Sequence, residues 1–431
     1  MTGPAEMLAS DVVVPGDPSS AAFVAAAALL KPGSSITIQN VSLNPARIGF
    51  VRTLERMGAD IRESYGGHEG KEPRGTITVN YTPVLRCLLY TSRCALPSLN
   101  SKEAPMKPIE NIAIVGFGSL GAMYAGCFGA AMGPEHVFVV ADTARTERYR
   151  AEAATFNGEP IRVTYLTYDE AAERAAEEPF DVVLYAVKYG ALPEAIEQSA
   201  PLVGPDTAII SVLNGVTSEE VLAERFGWDR VLLCVAQQMD SRKEGATVTA
   251  GCVGVMALGV HDAEDAAQRA NLERVAEWLT AIDQPFITPD DIRHQLWGKL
   301  ICNVGVNQAC AVYDCCFSGI HVPGEAREAM IAAMREVAAV GRAEGVGLTE
   351  EDVAYWLDII DHLNPEGLPS LRQDVLARRP TEVELFSGTI NRLGAAHGIP
   401  TPQNERFYAA IKELESSFSQ GRTSVRPRQA R

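Results

Sequence analysis

The most informative spacing in this chain is Gly116-x-Gly118-x-x-Gly121, within the stretch NIAIVGFGSLG at 111–121. The first glycine allows a tight turn, the second lets the backbone approach a pyrophosphate, and the third lets a helix pack closely on a strand. An apolar strand precedes the motif and the helical stretch 122–132 follows it, so helix N-terminal amides would face the phosphates. The pattern therefore predicts a dinucleotide site formed by Gly116, Phe117, Gly118, Ser119, Leu120 and Gly121.

The residues that would choose between NAD(H) and NADP(H) follow the second strand. Asp142 ends the apolar run 136–141, 21 residues after Gly121, where a residue that binds the adenosine ribose is expected. An acidic residue at this position is typical of NAD(H). Arg145 and Arg148 follow within six residues and could hold the 2′-phosphate of NADP(H). The residues alone leave both cofactors open.

Polar residues recur every four positions in the otherwise apolar stretch Lys299-Leu-Ile-Cys-Asn303-Val-Gly-Val-Asn307. At 100° per residue, Lys299, Asn303 and Asn307 fall within about 80° of one another on a helix. The apolar residues between them predict a helix buried nearly all round, in which the polar stripe needs partners. A ligand could supply them. Alternatively, the asparagines bond to neighbouring backbone and Lys299 extends to water.

Strands and helices alternate from Lys107 to about Asp290, which calls for a parallel sheet covered on both faces. The predicted strands are Asn111–Val115, His136–Ala141, Ile161–Tyr165, Asp181–Val187, Thr207–Leu213 and Val231–Ala236. Ligands of such sheets bind beyond the carboxyl ends of the strands. Lys188 and Asn214 each follow a strand at this edge. Each is either a residue of the ligand site or a solvated loop residue.

From about Asp291 the pattern is helical. Pro380-Thr381-Glu382 is predicted to open a helix that ends near Gly398. Its inner face would carry Glu382 together with Phe386, Thr389, Ile390 and Leu393. A carboxylate in a first turn is also favoured by the helix dipole, whatever its chemical role.

Composition excludes several classes of function. The 431 residues are 46% hydrophobic and 22% charged, which is ordinary for globular domains, and the net charge of −17 argues against nucleic-acid or anionic-membrane partners. The nine cysteines are scattered and lack paired metal spacings, so we expect no disulfide, no metal site and a reduced cytoplasmic setting. The run 21–30 is too short to span a bilayer, and we expect a soluble protein.

Residues 1–83 have a different character. A helix from the Asp17/Ser19/Ser20 capping signal, a strand over 35–41 and a helix over 47–57 predict a partial α+β fragment. VPGDPSSAAF, LNPAR and LERMGADI resemble 5-enolpyruvylshikimate-3-phosphate synthase (3-phosphoshikimate 1-carboxyvinyltransferase) over about residues 11–80. One partial lobe cannot enclose two anionic substrates, so we expect no such activity. Residues 84–105 are predicted to be an irregular join. Met106 follows them, a few residues before the first strand, where enzymes with this nucleotide motif commonly begin. A gene-fragment join and a natural fusion both remain open.

The longer part, residues 106–420, resembles ketopantoate reductase (2-dehydropantoate 2-reductase). The resemblance rests on GFGSLG, LNGV, LWGKLICNVGVNQ, PSLRQDVLARRPTEVELFSG and HGIPTPQN. It implies an α/β fold with a Rossmann-type parallel-sheet domain at 106–290 and an all-helical C-terminal domain for substrate and dimerisation at 291–420, before a disordered tail at 421–431. It also implies reduction of 2-dehydropantoate to (R)-pantoate with NADPH in pantothenate biosynthesis.

The resemblance also implies roles for single residues. Lys299 matches the catalytic lysine and Glu382 the glutamate at the active site, while Asn303 and Asn307 match substrate-binding asparagines. Ser370 is similar to the serine that holds one end of the substrate. Lys188 and Asn214 are similar to residues that face cofactor and substrate from the sheet. These residues suit the reaction, because hydride transfer to a ketone leaves negative charge on oxygen that an ammonium can stabilise and protonate.

Several readings stay open. Where the family usually has SMLQD this chain has SLRQD, and Arg372 near the substrate end puts the exact 2-keto acid in doubt. Alternatives are a related reductase of another branched 2-keto or 3-hydroxy acid, a non-catalytic nucleotide-binding protein and a bifunctional synthase–reductase. The apolar run 308–317 makes a homodimer plausible.

Overall fold

The computed structural model describes residues 15–31, 33–44, 47–56, 59–69, 72–82 and 107–419. The chain divides into two compact units, Met1–Pro97 and Ser98–Arg431. The predicted join at 84–105, the start at Met106 and the predicted tail at 421–431 lie outside the described residues.

The first unit is a small α+β fragment, as predicted. Its elements are α1 (Pro18–Leu30), β1 (Ser35–Ser42), α2 (Gly49–Arg56), β2 (Ile61–Glu69) and β3 (Glu72–Asn80). Asp17 caps α1 by accepting a hydrogen bond from the Ser20 amide at 3.0 Å. The strands form an antiparallel sheet in the order β1-β3-β2. Our prediction missed the hairpin of β2 and β3 and began the second helix two residues too early.

The second unit begins with alternating strands and helices. In chain order they are β4 (Ile112–Val115), α3 (Ser119–Met132), β5 (Val137–Ala141), α4 (Thr143–Ala151), β6 (Thr155–Phe156), β7 (Glu159–Pro160), β8 (Thr164–Thr167), α5 (Tyr168–Glu177), β9 (Phe180–Tyr185), α6 (Leu192–Ser199), β10 (Val203–Ser211), α7 (Ser218–Phe226), β11 (Val231–Met239), β12 (Arg242–Glu244), β13 (Thr247–Thr249), β14 (Val253–Gly259), α8 (Ala266–Ala281) and β15 (Phe286–Ile287).

The central sheet has eight strands in the order β15-β14-β11-β10-β9-β4-β5-β8. The six predicted strands all belong to it and pair in parallel. Strands β4, β5 and β9 are buried along their whole length, which explains their continuous runs of apolar residues. Apolar clusters lie on both faces of the sheet, as a doubly covered sheet requires.

Two details of the predicted sheet were wrong. The sheet is mixed, because β14 runs antiparallel to β11. Only the short β12–β13 hairpin separates these two strands, and without a crossover helix the chain has to return antiparallel. The third predicted strand, Ile161–Tyr165, lies instead at Thr164–Thr167, because the Ile161 amide bonds to the Ala154 carbonyl at 2.9 Å and closes a small turn.

From residue 292 onward the described residues are helical. The helices are α9 (Ile292–Val312), α10 (Ser318–His321), α11 (Glu325–Ala343), α12 (Glu350–Asp361), α13 (Ser370–Leu376), α14 (Thr389–His397) and α15 (Pro402–Ser419), with one π-helical turn at Glu384–Gly388. Asp291 caps α9, and the helix is buried over most of its surface, as the sequence predicted. Among the helices described, none is long and apolar enough to cross a membrane.

Two predictions in this helical part require correction. The helix predicted to open at Pro380-Thr381-Glu382 begins as the π-helical turn at Glu384, so Glu382 precedes it. The Glu382 carbonyl accepts the amides of Leu385 and Phe386, so the backbone of Glu382 adjoins the first turn. In the run 308–317, the first four residues are buried in the chain's own core. That part of the run cannot form a dimer surface.

Candidate functional site

The glycine loop between β4 and α3 has the shape that a dinucleotide phosphate requires. Gly116 has φ +101°, and a Cβ at that position would lie 2.8 Å from the Ala186 carbonyl. A Cβ on Gly121 would lie 2.1 Å from the Gly116 oxygen. At Gly118 the nearest atom would be 3.8 Å away, and no side chain caps α3. The first and third glycines thus permit turn and packing, while the second leaves the helix amides accessible to a phosphate.

Asp142 has two interactions that the sequence did not predict. It caps α4, accepting the Arg145 amide at 2.8 Å, and its other oxygen pairs with the Arg145 guanidinium at 3.0 Å. Arg145 and Asp142 therefore largely neutralise each other. Arg148, on the same side of α4, lies with its guanidinium carbon 5.3 Å from the centre of the Tyr149 ring.

Lys299 lies where α9 crosses the carboxyl ends of the central strands. Its Nζ donates to the Asn214 Oδ1 at 3.1 Å and to the Ala236 carbonyl, at the end of the apolar part of β11, at 2.5 Å. An ammonium has three donors. The two bonds fix its position and leave one donor for a ligand.

The two asparagines of the α9 stripe continue this network. The Asn303 amide donates to Asn214 Oδ1 at 3.5 Å, and the Asn307 amide donates to Asn303 Oδ1 at 3.3 Å. Ser370, at the start of α13, donates to Asn307 Oδ1 at 3.4 Å. The predicted polar stripe thus faces the sheet at one end and α13 at the other. It forms a single row of hydrogen-bonding groups.

Glu382 and Lys188 close the other side of the site. The Asn214 amide donates to Glu382 Oε2 at 3.2 Å, and the Lys188 ammonium lies 4.0 Å from the same oxygen. Lys188 donates to Asp374 Oδ2 at 2.7 Å. All the substrate-site residues named from the sequence therefore lie in one connected network, together with Lys188.

Asp374 was missed by the sequence analysis. Its carboxylate is buried and accepts from both Lys188 and Arg379, the latter at 2.9 Å. Asp374 follows Ser370 by four residues on α13, so both lie on the same helix face. That spacing was the signal available in the sequence.

Arg372 is two residues from Ser370 and leaves α13 on nearly the opposite side. Its guanidinium pairs with Asp314, and only a small fraction of the side chain is exposed. Burial lowers the pKa of Arg372, and Cys310 nearby acts in the opposite direction. Asp314 therefore offsets the charge of Arg372, and the expectation that Arg372 enters near the substrate end stays a prediction.

The electrostatic setting of Lys299 suits a proton donor. Burial lowers the pKa of Lys299 below its usual 10.5, and nearby Cys234, Cys302, Glu382 and Glu219 act to raise it. Glu219, at the start of α7, is itself buried, which raises its pKa to about 7. The sequence analysis missed Glu219, because nothing in the spacing of LNGVTSEE distinguishes a buried carboxylate from a solvated first-turn one.

Other chemistries find less support in the described residues. Their seven cysteines are all free, and they contain no group of three or more His, Cys, Asp or Glu side chains that could hold a metal ion. A phosphate-binding glycine loop on a Rossmann-type sheet, with a half-buried lysine among amides near the strand ends, defines an oxidoreductase that uses a nicotinamide cofactor.

Comparison with known proteins identifies the family. The model of "Ketopantoate reductase PanE/ApbA" matches residues 112–263, and that of its C-terminal domain matches residues 291–415. Together they cover more than half of the chain. The chain belongs to the ketopantoate reductase family over these residues.

Individual relatives agree with this family. A 2-dehydropantoate 2-reductase of Vibrio cholerae serotype O1 is 28% identical over 239 residues, which are 56% of this chain and 79% of the relative. The solved 2-dehydropantoate 2-reductase of Geobacter metallireducens GS-15 is 27% identical, with a TM-score of 0.61 over 70% of this chain and 99% of that one. A D-mandelate dehydrogenase solved with NADH and anilino(oxo)acetate has the same fold at 19% identity, with a TM-score of 0.63 over 72% of this chain and 99% of that one.

The N-terminal unit is similar to a different enzyme. Residues 1–86 match the model of EPSP synthase (3-phosphoshikimate 1-carboxyvinyltransferase). The enzyme of that name from Gluconobacter oxydans is 54% identical over 82 residues, which are only 19% of its length and 19% of this chain. The first unit is therefore a fragment similar to a fifth of that synthase.

Proposed function

We propose that the protein is an NADPH-dependent 2-dehydropantoate 2-reductase, which makes (R)-pantoate for pantothenate biosynthesis. The observation that carries the proposal is the placement of Lys299. Its ammonium is held by Asn214 and Ala236 at the end of the sheet, beside the Asn303–Asn307–Ser370 row. This arrangement offers a cation and a row of neutral donors to a small 2-keto acid.

In this reaction each residue of the site would have a distinct role. Bound NADPH supplies a hydride to the ketone carbon. Lys299 stabilises the negative charge that forms on the ketone oxygen and delivers the proton, using the donor that its two protein contacts leave free. Asn303 and Asn307 hold the hydroxyl and carbonyl groups without adding charge, and Ser370 holds the carboxylate. Glu382 orients Asn214 through the 3.2 Å bond and adds negative charge that keeps Lys299 protonated.

The cofactor would lie on the glycine loop formed by Gly116, Phe117, Gly118, Ser119, Leu120 and Gly121. Lys188 and Asn214 would face its nicotinamide end. We propose NADPH on family grounds. The pairing of Asp142 with Arg145 supports this choice, because a paired Asp142 repels a 2′-phosphate less than a free one does.

A second candidate is reduction of another branched or aromatic 2-keto acid. It is favoured by the likeness of the fold to a D-mandelate dehydrogenase. A non-catalytic nucleotide-binding protein is the third, and the complete Lys299–Asn303–Asn307–Glu382 set argues against it. We expect a homodimer, as a solved ketopantoate reductase from Staphylococcus aureus is described as dimeric. We propose a cytoplasmic setting, because the nine cysteines are scattered and lack paired spacings.

The test is a substrate panel with the purified full-length protein. Oxidation of NADPH and NADH is followed with ketopantoate, other branched 2-keto acids and benzoylformate. The proposal requires the highest kcat/KM with ketopantoate and NADPH. A higher value with another keto acid would establish the second candidate, and NADPH binding without turnover of any keto acid would establish the third.

A further inference from the structure

The β12–β13 hairpin is fastened to the glycine loop, although more than a hundred residues separate them. The Ser241 hydroxyl lies 2.8 Å from the Ser119 hydroxyl and donates to the Ser119 carbonyl at 3.2 Å. Two residues later, the Lys243 ammonium donates to the carbonyl oxygen of Phe117. Because Phe117 and Ser119 belong to the glycine motif, the hairpin carries Lys243 to the edge of the nucleotide site.

Lys243 has a specific environment there. Its Nζ lies 4.3 Å from the centre of the Phe117 ring and 5.6 Å from the centre of the Tyr149 ring. The Arg148 guanidinium lies over the same Tyr149 ring. Burial lowers the pKa of Lys243, and so does Arg148, whereas the Glu152 carboxylate raises it. Two cations thus flank one aromatic ring and repel each other, with only Glu152 opposing.

A bound anion between the two cations would offset this repulsion. The ammonium of Lys243 has three donors, and the Phe117 carbonyl takes one. Arg145, another cation of α4, is already paired with Asp142. Lys243 and Arg148 are therefore the better candidates for binding an anionic ligand.

The position of α4 indicates which anion. The pyrophosphate is met by the amides at the start of α3, whereas the helix after the second strand adjoins the adenosine ribose. Arg148 belongs to that second helix, so a cation beside it serves the ribose end. We propose that Lys243 and Arg148, rather than Arg145, hold the 2′-phosphate of NADPH. This inference rests on the proposed function and adds a residue from outside the first two strand–helix units.

The experiment measures cofactor binding rather than turnover. Calorimetry of the full-length protein gives dissociation constants for NADPH, NADH, 2′,5′-ADP and 5′-AMP. Lys243→Met and Arg148→Met should each weaken NADPH and 2′,5′-ADP about tenfold, because a charge-assisted contact is lost, and should leave NADH within about twofold. Lys243→Arg keeps the charge and should keep the preference for NADPH, which separates charge loss from misfolding.

Two matched controls use neighbouring cations. Arg242 precedes Lys243 in β12 and points to the opposite side of the strand, where it is exposed. Arg150 is a cation of α4 that pairs with Glu170. Arg242→Met and Arg150→Met should each change the affinity for NADPH by no more than about twofold.

Each contrary outcome has a distinct meaning. An equal loss of NADPH and NADH binding in Lys243→Met would make Lys243 a pyrophosphate or structural contact and overturn the inference alone. Unchanged NADPH binding in Lys243→Met would also overturn it. A wild-type protein that prefers NADH would refute both the inference and the choice of NADPH, but not the reductase family. A protein that binds neither dinucleotide would refute the proposed function itself.

Discussion

Lys299 combines the two properties that a proton donor at a ketone needs. It is held in place by Asn214 and the Ala236 carbonyl, and burial lowers its pKa toward the range where it can give up a proton. A surface lysine has neither property. The chemistry of the site therefore depends on the burial of α9 as much as on the type of residue.

Removing this ammonium should abolish catalysis selectively. Lys299→Ala should lower the turnover of ketopantoate by at least about a hundredfold, because the general-acid and charge-stabilising contributions both act in the transition state. NADPH affinity should stay nearly unchanged, since the glycine loop is intact. Steady-state kinetics and fluorescence titration measure the two quantities. Lys412→Ala, which removes a surface lysine from α15, is the control, and wild-type turnover in Lys299→Ala would remove Lys299 from the mechanism.

The pH dependence should report the ionisation of Lys299. Its protonated form is the donor, so kcat for reduction should be constant at low pH and fall as pH rises through a pKa below 10.5. Glu382→Gln removes a negative charge that raises this pKa, and the fall should begin at lower pH in that variant. Glu264→Gln, at an exposed position, should leave the profile unchanged. A profile in Glu382→Gln that keeps the wild-type midpoint would contradict this coupling.

At the scale of elements, the close packing of α3 on the β4 turn is what makes the phosphate site. A Cβ on Gly121 would meet the Gly116 backbone oxygen at 2.1 Å, and a backbone atom cannot rotate away. The helix would have to shift from the sheet. That shift would move the amides that the phosphates need.

Gly121→Ala tests this packing. We expect the free energy of unfolding to fall by about 1–3 kcal/mol, the usual range for overpacking, and NADPH affinity to fall with it. Chemical denaturation and calorimetry measure these effects. The control is Gly347→Ala, because a Cβ at Gly347 would meet no atom within 4 Å. Equal stability of the two variants would show that α3 tolerates the shift.

At the scale of the whole molecule, two units that are similar to different enzymes share one chain. The first matches a fifth of a synthase and contains a three-stranded sheet with two helices among its described residues. The candidate reductase network lies entirely in the second unit. Nothing in that network draws on a residue before Lys107.

Removing residues 1–105 should therefore leave the reductase intact. A chain that begins at Met106 should keep the thermal midpoint of the second unit, because that unit is compact by itself. Its affinity for NADPH and its kcat/KM for ketopantoate should stay within about twofold, because every residue of the candidate network belongs to that unit. The full-length chain should form no 5-enolpyruvylshikimate 3-phosphate from shikimate 3-phosphate and phosphoenolpyruvate. Loss of reductase activity on removal, or synthase activity in the full chain, would instead indicate a bifunctional protein.

Local sequence patterns determined much of this protein. Strand-to-helix order and glycine spacing act over a few residues, so they predicted the glycine loop, and the 100° periodicity predicted the Lys299–Asn303–Asn307 stripe. The ends of two predicted strands indicated Lys188 and Asn214, and the helix pattern indicated Glu382. The family resemblance then added Ser370 and gave these residues their roles. The structure brings these four residues into contact with the stripe or with one another.

Long-range packing decided the rest, because its partners have no regular spacing in the chain. Asp374 is buried against Lys188 across 186 residues, and Lys243 reaches Phe117 across 126. The antiparallel direction of β14 likewise depends on its pairing with β11. The sequence supplied the chemical groups of the site. Only the tertiary structure determined which of these groups are buried and which form ion pairs. Burial and ion pairing shift the charge state of a group, and both depend on segments that are distant in the chain.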